Sequence, residues 1–214
     1  MVLCRTGTIL SRAISKLTGD WYTHASISFD DDLRTMYSFG RLRTYNPWIG
    51  GFVKESIEYG VMRRFRSADA LVMRVEVSDK KHQQIVRYLT EMYAERKSYK
   101  YNYWGLFLSK WNIRVRSQKA NRFYCSEFVN DILERFGIIK QGEFGKVVRP
   151  MELLKLRQVG KGQIVYRGAL CQFSQDKINI NKTLAKFFKG VYNINYEFSR
   201  TYREGKSNQG NYSI

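Results

Sequence analysis

Residues 122–129 read Arg122-Phe123-Tyr124-Cys125-Ser126-Glu127-Phe128-Val129, and a helix is predicted to begin inside this stretch. From Cys125 onward the apolar residues recur with the one-sided spacing of an amphipathic helix, at Phe128, Val129, Ile132, Leu133 and Phe136. Gly137 follows the last of them, and glycine readily adopts the left-handed conformation that ends helices. We therefore expect a helix from Cys125 to Phe136, with the thiol at its N-terminus.

A cysteine at this position is a candidate nucleophile. The unpaired N–H groups and the dipole of a helix N-terminus stabilise an anion, which favours thiolate over thiol. The thiolate is the form that attacks a carbonyl carbon, and a neighbouring imidazole favours it further. The chain has two histidines. His82 falls in the polar first turn of a predicted helix, Ser78–Ala94, where we expect it to be solvated, whereas His24 begins a strand-like alternation that ends at Phe29.

These two residues also have a simpler interpretation. A cysteine on the apolar side of a helix is usually an inert buried thiol. A histidine at the start of a strand is often a structural hydrogen-bonding residue. Cys125 and His24 taken alone leave both interpretations open.

The residues around both positions resemble a known family. An amphipathic segment, Ile9–Leu17, leads through Thr18-Gly19-Asp20-Trp21-Tyr22-Thr23 into His24-Ala25-Ser26-Ile27. Together with Tyr124-Cys125-Ser126-Glu127-Phe128 and the downstream Arg149-Pro150, this resembles the circularly permuted NlpC-type papain-like cysteine hydrolase family, in its YiiX-like branch. The resemblance covers roughly residues 2–170. It implies an α+β, permuted papain-like fold, in which an antiparallel sheet packs against the helix that carries the nucleophile.

The resemblance also implies the site residues. Cys125 would be the nucleophile and His24 the base, and a polar third residue, frequently Glu in the family, would lie on the strand after the histidine strand. That strand reads Arg34–Gly40 here, and Ser38 is the position that aligns. A serine can accept the imidazole N–H, but it stabilises imidazolium less than a carboxylate does. Tyr22, Tyr124 and Trp21 are candidates for the substrate or oxyanion pocket.

The implied reaction is hydrolysis or acyl transfer at an amide or ester bond of a peptide or lipid, through an acyl-enzyme intermediate. The Cys125 N–H is the expected first oxyanion donor. The chemistry needs neither a metal nor an organic cofactor. The alternative is a catalytically weak or inactive basic module that binds an anionic partner, either nucleic acid or a membrane surface.

The charge of the chain bears on that alternative. Lys and Arg number 37 against 19 Asp and Glu, a net charge of +18. Such a balance attracts nucleic acid, anionic membranes or acidic substrates without specifying which, and a generally basic, solvated surface is equally compatible with it. No zinc finger, RNP strand pair or basic zipper is recognisable.

Composition and length set the remaining expectations. The 214 residues, 43% of them hydrophobic, suffice for one domain at 1–171, followed by a basic C-terminal extension at 172–214 that we expect to be partly mobile. Three widely spaced cysteines indicate no disulfide framework. No secretory signal or membrane-spanning run is recognisable, which predicts a cytoplasmic protein.

Three further segments carry specific expectations. Residues 40–60 read as a long, glycine-punctuated loop on the substrate side. Tyr59–Phe65 and Ala70–Val77 alternate as strands. Tyr99–Trp111 is dense in aromatic residues, and we expect it to pack under the Cys125 helix rather than to stack bases.

Overall fold

The computed structural model describes residues 1–43, 46–65, 67–113 and 121–173. The strands within them are β1 (Val2–Arg5), β2 (His24–Ser28), β3 (Met36–Arg43), β4 (Asn46–Glu55), β5 (Asp69–Arg74), β6 (Lys100–Tyr101), β7 (Arg122–Phe123) and β8 (Gln163–Ala169). The α-helices are α1 (Ile9–Thr18), α2 (Gly60–Arg64), α3 (Asp79–Ala94), α4 (Tyr103–Leu108), α5 (Cys125–Arg135) and α6 (Lys155–Gln158). Short 3-10 helices span Arg96–Ser98, Ser109–Trp111, Pro150–Leu154 and Leu170–Gln172.

The fold is α+β and is built on an antiparallel sheet. Its strand order is β4-β3-β2-β1-β5-β8, and every neighbouring pair is antiparallel. A separate two-stranded parallel ladder joins β6 to β7. Helix α5 packs against β2 and β3. Strand β2 lies between β1 and β3, and its first residue, His24, pairs with Cys4 of β1.

Two apolar clusters cover the two faces of the sheet. On the α5 face, the Phe39, Phe52 and Phe128 rings pack on one another with centroids 5.3–5.4 Å apart. The opposite face is covered by a second cluster that includes Val2, Cys4, Met36, Met62 and Leu170. The alternation of side chains along each strand produces this division.

The helices with clear sequence signals form close to where they are predicted. Helix α5 begins at Cys125 and ends within one residue of the prediction, and Gly137 follows it with φ 61°. Ser78 caps α3 by accepting a hydrogen bond from the Lys81 N–H. Gly19 ends α1 with φ 77°.

Two segments differ from their predictions. The predicted loop at 40–60 is mostly a hairpin, because β3 continues to Arg43 and β4 returns from Asn46 to Glu55. Gly50 and Gly51 lie inside β4 and give close backbone approach to Tyr101 and to the Tyr99 carbonyl. The predicted strand at Tyr59–Phe65 is instead helix α2, which Gly60 begins with φ 70°.

The aromatic segment Tyr99–Trp111 divides between core and surface. Tyr101 is buried, and Tyr99 and Tyr103 pack on the core cluster, as predicted. Trp104, Phe107 and Trp111 are exposed, so the prediction of a core role is wrong for these three. They lie on the outer side of α4 and of the 3-10 helix that follows it.

Residues 174–214 are outside the described part, so the extension at 172–214 remains a prediction. The compact unit that contains the described residues is Met1–Phe173. A search of the described helices finds none with the length and apolarity needed to cross a membrane.

Candidate active site

Cys125 is the first residue of α5 and is buried. The helix start is fixed by Glu127, whose carboxylate accepts hydrogen bonds from the Tyr124 N–H at 3.4 Å and from the Asn102 side-chain amide at 3.3 Å. Asn102 in turn caps α4 by accepting from the Gly105 N–H at 2.9 Å. The thiol end of α5 is therefore tied to α4 through one carboxylate.

His24 reaches the same place from the sheet. It pairs with Cys4 of β1, and the Thr23 N–H donates to the Cys4 carbonyl at 3.1 Å. The Cys125 thiol donates to the Thr23 carbonyl at 4.0 Å, and it lies close enough to His24 to contribute to raising the pKa of the imidazole. The sheet and α5 thus bring together the two residues that the sequence predicts as a catalytic pair.

The partner on the other side of the imidazole is Glu55, at the end of β4. His24 Nε2 lies 2.9 Å from Glu55 Oε2, and the Ser26 hydroxyl donates to the same oxygen at 2.9 Å. This contact leaves Nδ1 as the nitrogen that can face the thiol. The His24 side chain is 14% exposed and that of Glu55 is 9% exposed, so their interaction is little screened by water.

The charge state of His24 follows from these contacts. Burial alone lowers the pKa of His24, but the Glu55 carboxylate and the hydrogen bonds with Cys125 and Glu55 together raise this pKa well above its ordinary value. The imidazole is therefore protonated near neutral pH. An imidazolium beside a thiol favours the thiolate form.

Ser38 does not make the contact expected of it. Its hydroxyl donates to the Ala25 carbonyl at 2.6 Å, and the carboxylate of Glu55 occupies the position beside the imidazole. Ser38 and Glu55 project from the same face of neighbouring strands, because Ser38 pairs with Val53 and Met36 pairs with Glu55. Glu55 therefore lies on β4, whereas the sequence analysis placed the third residue on β3, the strand before it.

Tyr101 is a second residue that the sequence analysis did not single out for the site. It is buried at the end of β6, beside Phe123 of β7. Burial and the neighbouring Cys125 and Tyr103 raise the pKa of Tyr101 well above its ordinary value. Its hydroxyl therefore remains protonated and can donate.

An open cleft leads to these side chains. Its lining is mainly polar and includes Thr8, Ser11, Thr23, His24, Arg41, Glu55, Tyr101 and Tyr103. Arg41 contributes a positive charge close to Glu55 and Tyr103. A substrate carbonyl in the cleft can approach His24 and Tyr101, whereas the Cys125 side chain is buried and is not part of the lining.

The predicted pocket residues lie around this centre. Tyr22 is buried in the core and Tyr124 is buried just before α5. Trp21 is half exposed, and it donates its indole N–H to Asp69 and stacks under Arg5. The side chains that line the cleft include none of these three. Their role in binding remains a prediction.

The other thiols differ from Cys125 in their surroundings. Cys4 lies opposite His24 in the sheet, but burial raises its pKa to about 12, which keeps it a protonated thiol. Cys171 is exposed. His82 is exposed on α3, as predicted, and stacks edge-on with Phe29. Among the described residues, no group of three or more His, Cys, Asp or Glu could hold a metal ion.

A sequence signal for Glu55 existed. Glu55 follows the apolar pair Phe52-Val53, which is strand-like, but Gly50-Gly51 just before it favoured a loop interpretation. Tyr101 had no comparable signal, because it is one of several aromatic residues in its segment. Comparisons of the chain with protein-family models, with curated proteins and with solved structures found no match.

Proposed function

We propose that the chain is a thiol hydrolase or acyltransferase that acts on an amide or ester bond of a peptide or lipid. The carrying observation is the Cys125 thiol at the N-terminus of α5, which contacts the carbonyl of Thr23 next to His24, together with the 2.9 Å contact between His24 Nε2 and Glu55. A nucleophile beside a base that is oriented by a third group is the arrangement that covalent catalysis requires. The papain-like assignment is part of the same proposal, and the antiparallel sheet packed on α5 supports it.

In the first half of the reaction, the Cys125 sulfur forms a bond to the substrate carbonyl carbon. His24, as imidazolium, gives its proton to the leaving amine or alcohol when the bond to that group breaks. The product of this step is a thioester on Cys125. In the second half, His24 takes a proton from water or from an acceptor hydroxyl or amine, which attacks the thioester, and the bond from carbon to sulfur breaks to release the Cys125 thiolate beside the imidazolium.

The developing oxyanion needs donors. As the first residue of α5, Cys125 has a backbone N–H with no acceptor inside the helix. The Tyr101 hydroxyl, which is protonated and neighbours Cys125, is the proposed second donor. Glu55 holds the imidazole with Nδ1 toward the sulfur, and it stabilises the positive charge that His24 carries.

The test is the rate at which iodoacetamide labels Cys125, measured between pH 5.5 and 9 in a Cys171→Ser background that removes the exposed thiol. We expect labelling of the parent protein near neutral pH to exceed that of the His24→Ala variant at least tenfold, because loss of the imidazolium raises the cost of the thiolate. His82→Ala is the matched control and is expected to label like the parent.

Equal labelling in His24→Ala and His82→Ala would refute an activated pair. It would favour the alternative, a basic binding module without catalysis. Hydrolysis of p-nitrophenyl acetate by the parent, and its loss in Cys125→Ala with an unchanged circular dichroism spectrum, would extend the labelling result to turnover.

A further inference from the structure

Exposed apolar side chains concentrate on α4 and the residues that follow it. Trp104 is 73% exposed, Trp111 51%, Ile113 49% and Phe107 48%. The Phe107 and Trp111 rings contact each other with centroids 5.5 Å apart. We call these four residues the aromatic ridge. Burying this much apolar surface is favourable, so its exposure indicates a surface that binds something.

A second exposed apolar segment lies in the β3–β4 hairpin. Leu42, Trp48 and Ile49 are exposed near the end of the β3–β4 hairpin. The next residue, Gly50, packs so closely on Tyr103 that an added Cβ would lie 2.7 Å from the Tyr103 hydroxyl. Tyr103 begins α4 and also lines the cleft. The strand that carries the second segment therefore contacts the first residue of α4, and this contact lies at the rim of the candidate active site.

Basic side chains adjoin the aromatic ridge. The Lys110 ammonium lies 5.3 Å from the centroid of the Trp111 ring. Lys110 also lines an open pocket with Lys146, Arg149 and Lys155, and Glu152 is the acidic residue of its lining. Glu152 pairs with Arg149 and Lys155, which leaves an excess of positive charge at Lys110 and Lys146. A polar, basic pocket thus lies next to an apolar ridge.

We propose that the aromatic ridge and the adjacent basic pocket dock the protein on an anionic lipid bilayer. Indole rings favour the boundary between headgroups and acyl chains, where the ring is apolar and the N–H reaches water. Lysine and arginine beside them are attracted to anionic headgroups. The net charge of +18 adds a long-range attraction to such a surface.

The surface fits a bilayer better than two other partners. Nucleic acid needs separate aromatic faces for stacking, whereas Phe107 and Trp111 pack on each other and are followed by the aliphatic Ile113. A second copy of this chain would bring two strongly positive molecules together, which is unfavourable. A bilayer accepts both aromatic and aliphatic side chains and supplies the opposite charge.

The test is flotation of the full-length Cys125→Ala protein with two kinds of vesicle, one of phosphatidylcholine and one with 30% phosphatidylserine. Use of Cys125→Ala makes the result independent of the proposed catalysis. We expect binding to the vesicles that contain phosphatidylserine and weaker binding as the KCl concentration rises. The double variant Trp104→Ala/Trp111→Ala is expected to bind at least tenfold more weakly, because its insertion into the bilayer boundary is lost.

Matched controls separate the surface from general charge and from misfolding. Lys110→Gln/Lys146→Gln is expected to weaken binding more than Lys80→Gln/Lys97→Gln, which removes the same charge from exposed positions on and just after α3. Tyr59→Ala removes an exposed aromatic elsewhere and is expected to bind like the parent. All variants are compared by thermal unfolding.

Equal binding of the Trp104→Ala/Trp111→Ala variant and the parent to the vesicles would overturn the proposal. Failure of the parent protein to bind either kind of vesicle would overturn it as well. If the parent binds no vesicles but binds RNA or self-associates, and the Trp104→Ala/Trp111→Ala variant loses that binding, the aromatic ridge would be assigned to RNA or to a second copy of the chain instead.

Discussion

At the residue scale, Glu55 decides whether His24 is oriented for catalysis or is only a structural hydrogen-bonding residue. One carboxylate oxygen accepts from both His24 and Ser26. Replacement by Gln keeps the shape and removes the charge. We expect the pKa of His24 to fall in Glu55→Gln, because the carboxylate is the leading cause that raises it. The measurement is the pH dependence of the His24 ring proton shifts by NMR.

His82 and Ser38 provide the controls for this measurement. His82 lies on α3, so its ring proton signal is expected to be the same in the parent and in Glu55→Gln. Ser38→Ala is expected to leave the His24 titration unchanged, since the Ser38 hydroxyl bonds the Ala25 carbonyl. A midpoint for His24 that moves in Ser38→Ala and not in Glu55→Gln would restore Ser38 as the orienting residue.

Tyr101 tests the oxyanion part of the mechanism at the same scale. Tyr101→Phe keeps the buried ring and removes the hydroxyl that contacts Cys125. Loss of one oxyanion donor costs about 10²–10³-fold in kcat, so we expect kcat for p-nitrophenyl acetate to fall in this range with a smaller change in KM. Tyr103→Phe, on the neighbouring ring 4.6 Å away, is the matched control and is expected to lose much less. Similar losses in both variants would count against a specific role for Tyr101.

At the element scale, the junction of α4 and α5 depends on Gly105. A Cβ there would lie 2.3 Å from the Asn102 side-chain nitrogen, so Gly105→Ala must displace the residue that caps α4 and binds Glu127. We expect a loss of about 1–2 kcal/mol in unfolding free energy, the usual cost of a lost N-cap, measured by urea denaturation. If the effect acts through Asn102, Asn102→Ala/Gly105→Ala is no less stable than Asn102→Ala alone. Additive losses would show that the crowding acts elsewhere.

The elements that the sequence predicts well are those with local end signals. Ser78, Gly19 and Gly137 mark helix ends through their own side chains or backbone freedom, and each does so where predicted. Strand β4 was missed because its glycines serve a distant contact: Gly50 makes room for Tyr101, which is 51 residues away in the sequence. A requirement set by tertiary packing leaves no local pattern to read.

At the scale of the whole molecule, the sheet order assembles the candidate site. Strand β3 lies between β2 and β4, so His24 and Glu55 come from strands that are not direct neighbours. The pairing of Cys125 with His24 could be predicted from two motifs and a resemblance. The reach of Glu55 across β3 could not, because it depends on the register between β3 and β4, in which Met36 lies opposite Glu55.

The raised pKa of His24 links the site to the stability of the whole fold. A group whose pKa is higher in the folded than in the unfolded protein binds its proton more tightly when folded. Its contribution to stability is therefore complete below the ordinary histidine pKa of about 6.5 and is lost as the pH rises through the higher folded value.

We expect the unfolding free energy of the parent, minus that of His24→Gln, to be larger at pH 6 than at pH 9, as measured by urea denaturation. Taking the difference between the two proteins removes the contributions of groups that titrate alike in both. A difference that grows with pH would mean that His24 is neutral in the folded protein, and the ion pair with Glu55 would have to be abandoned.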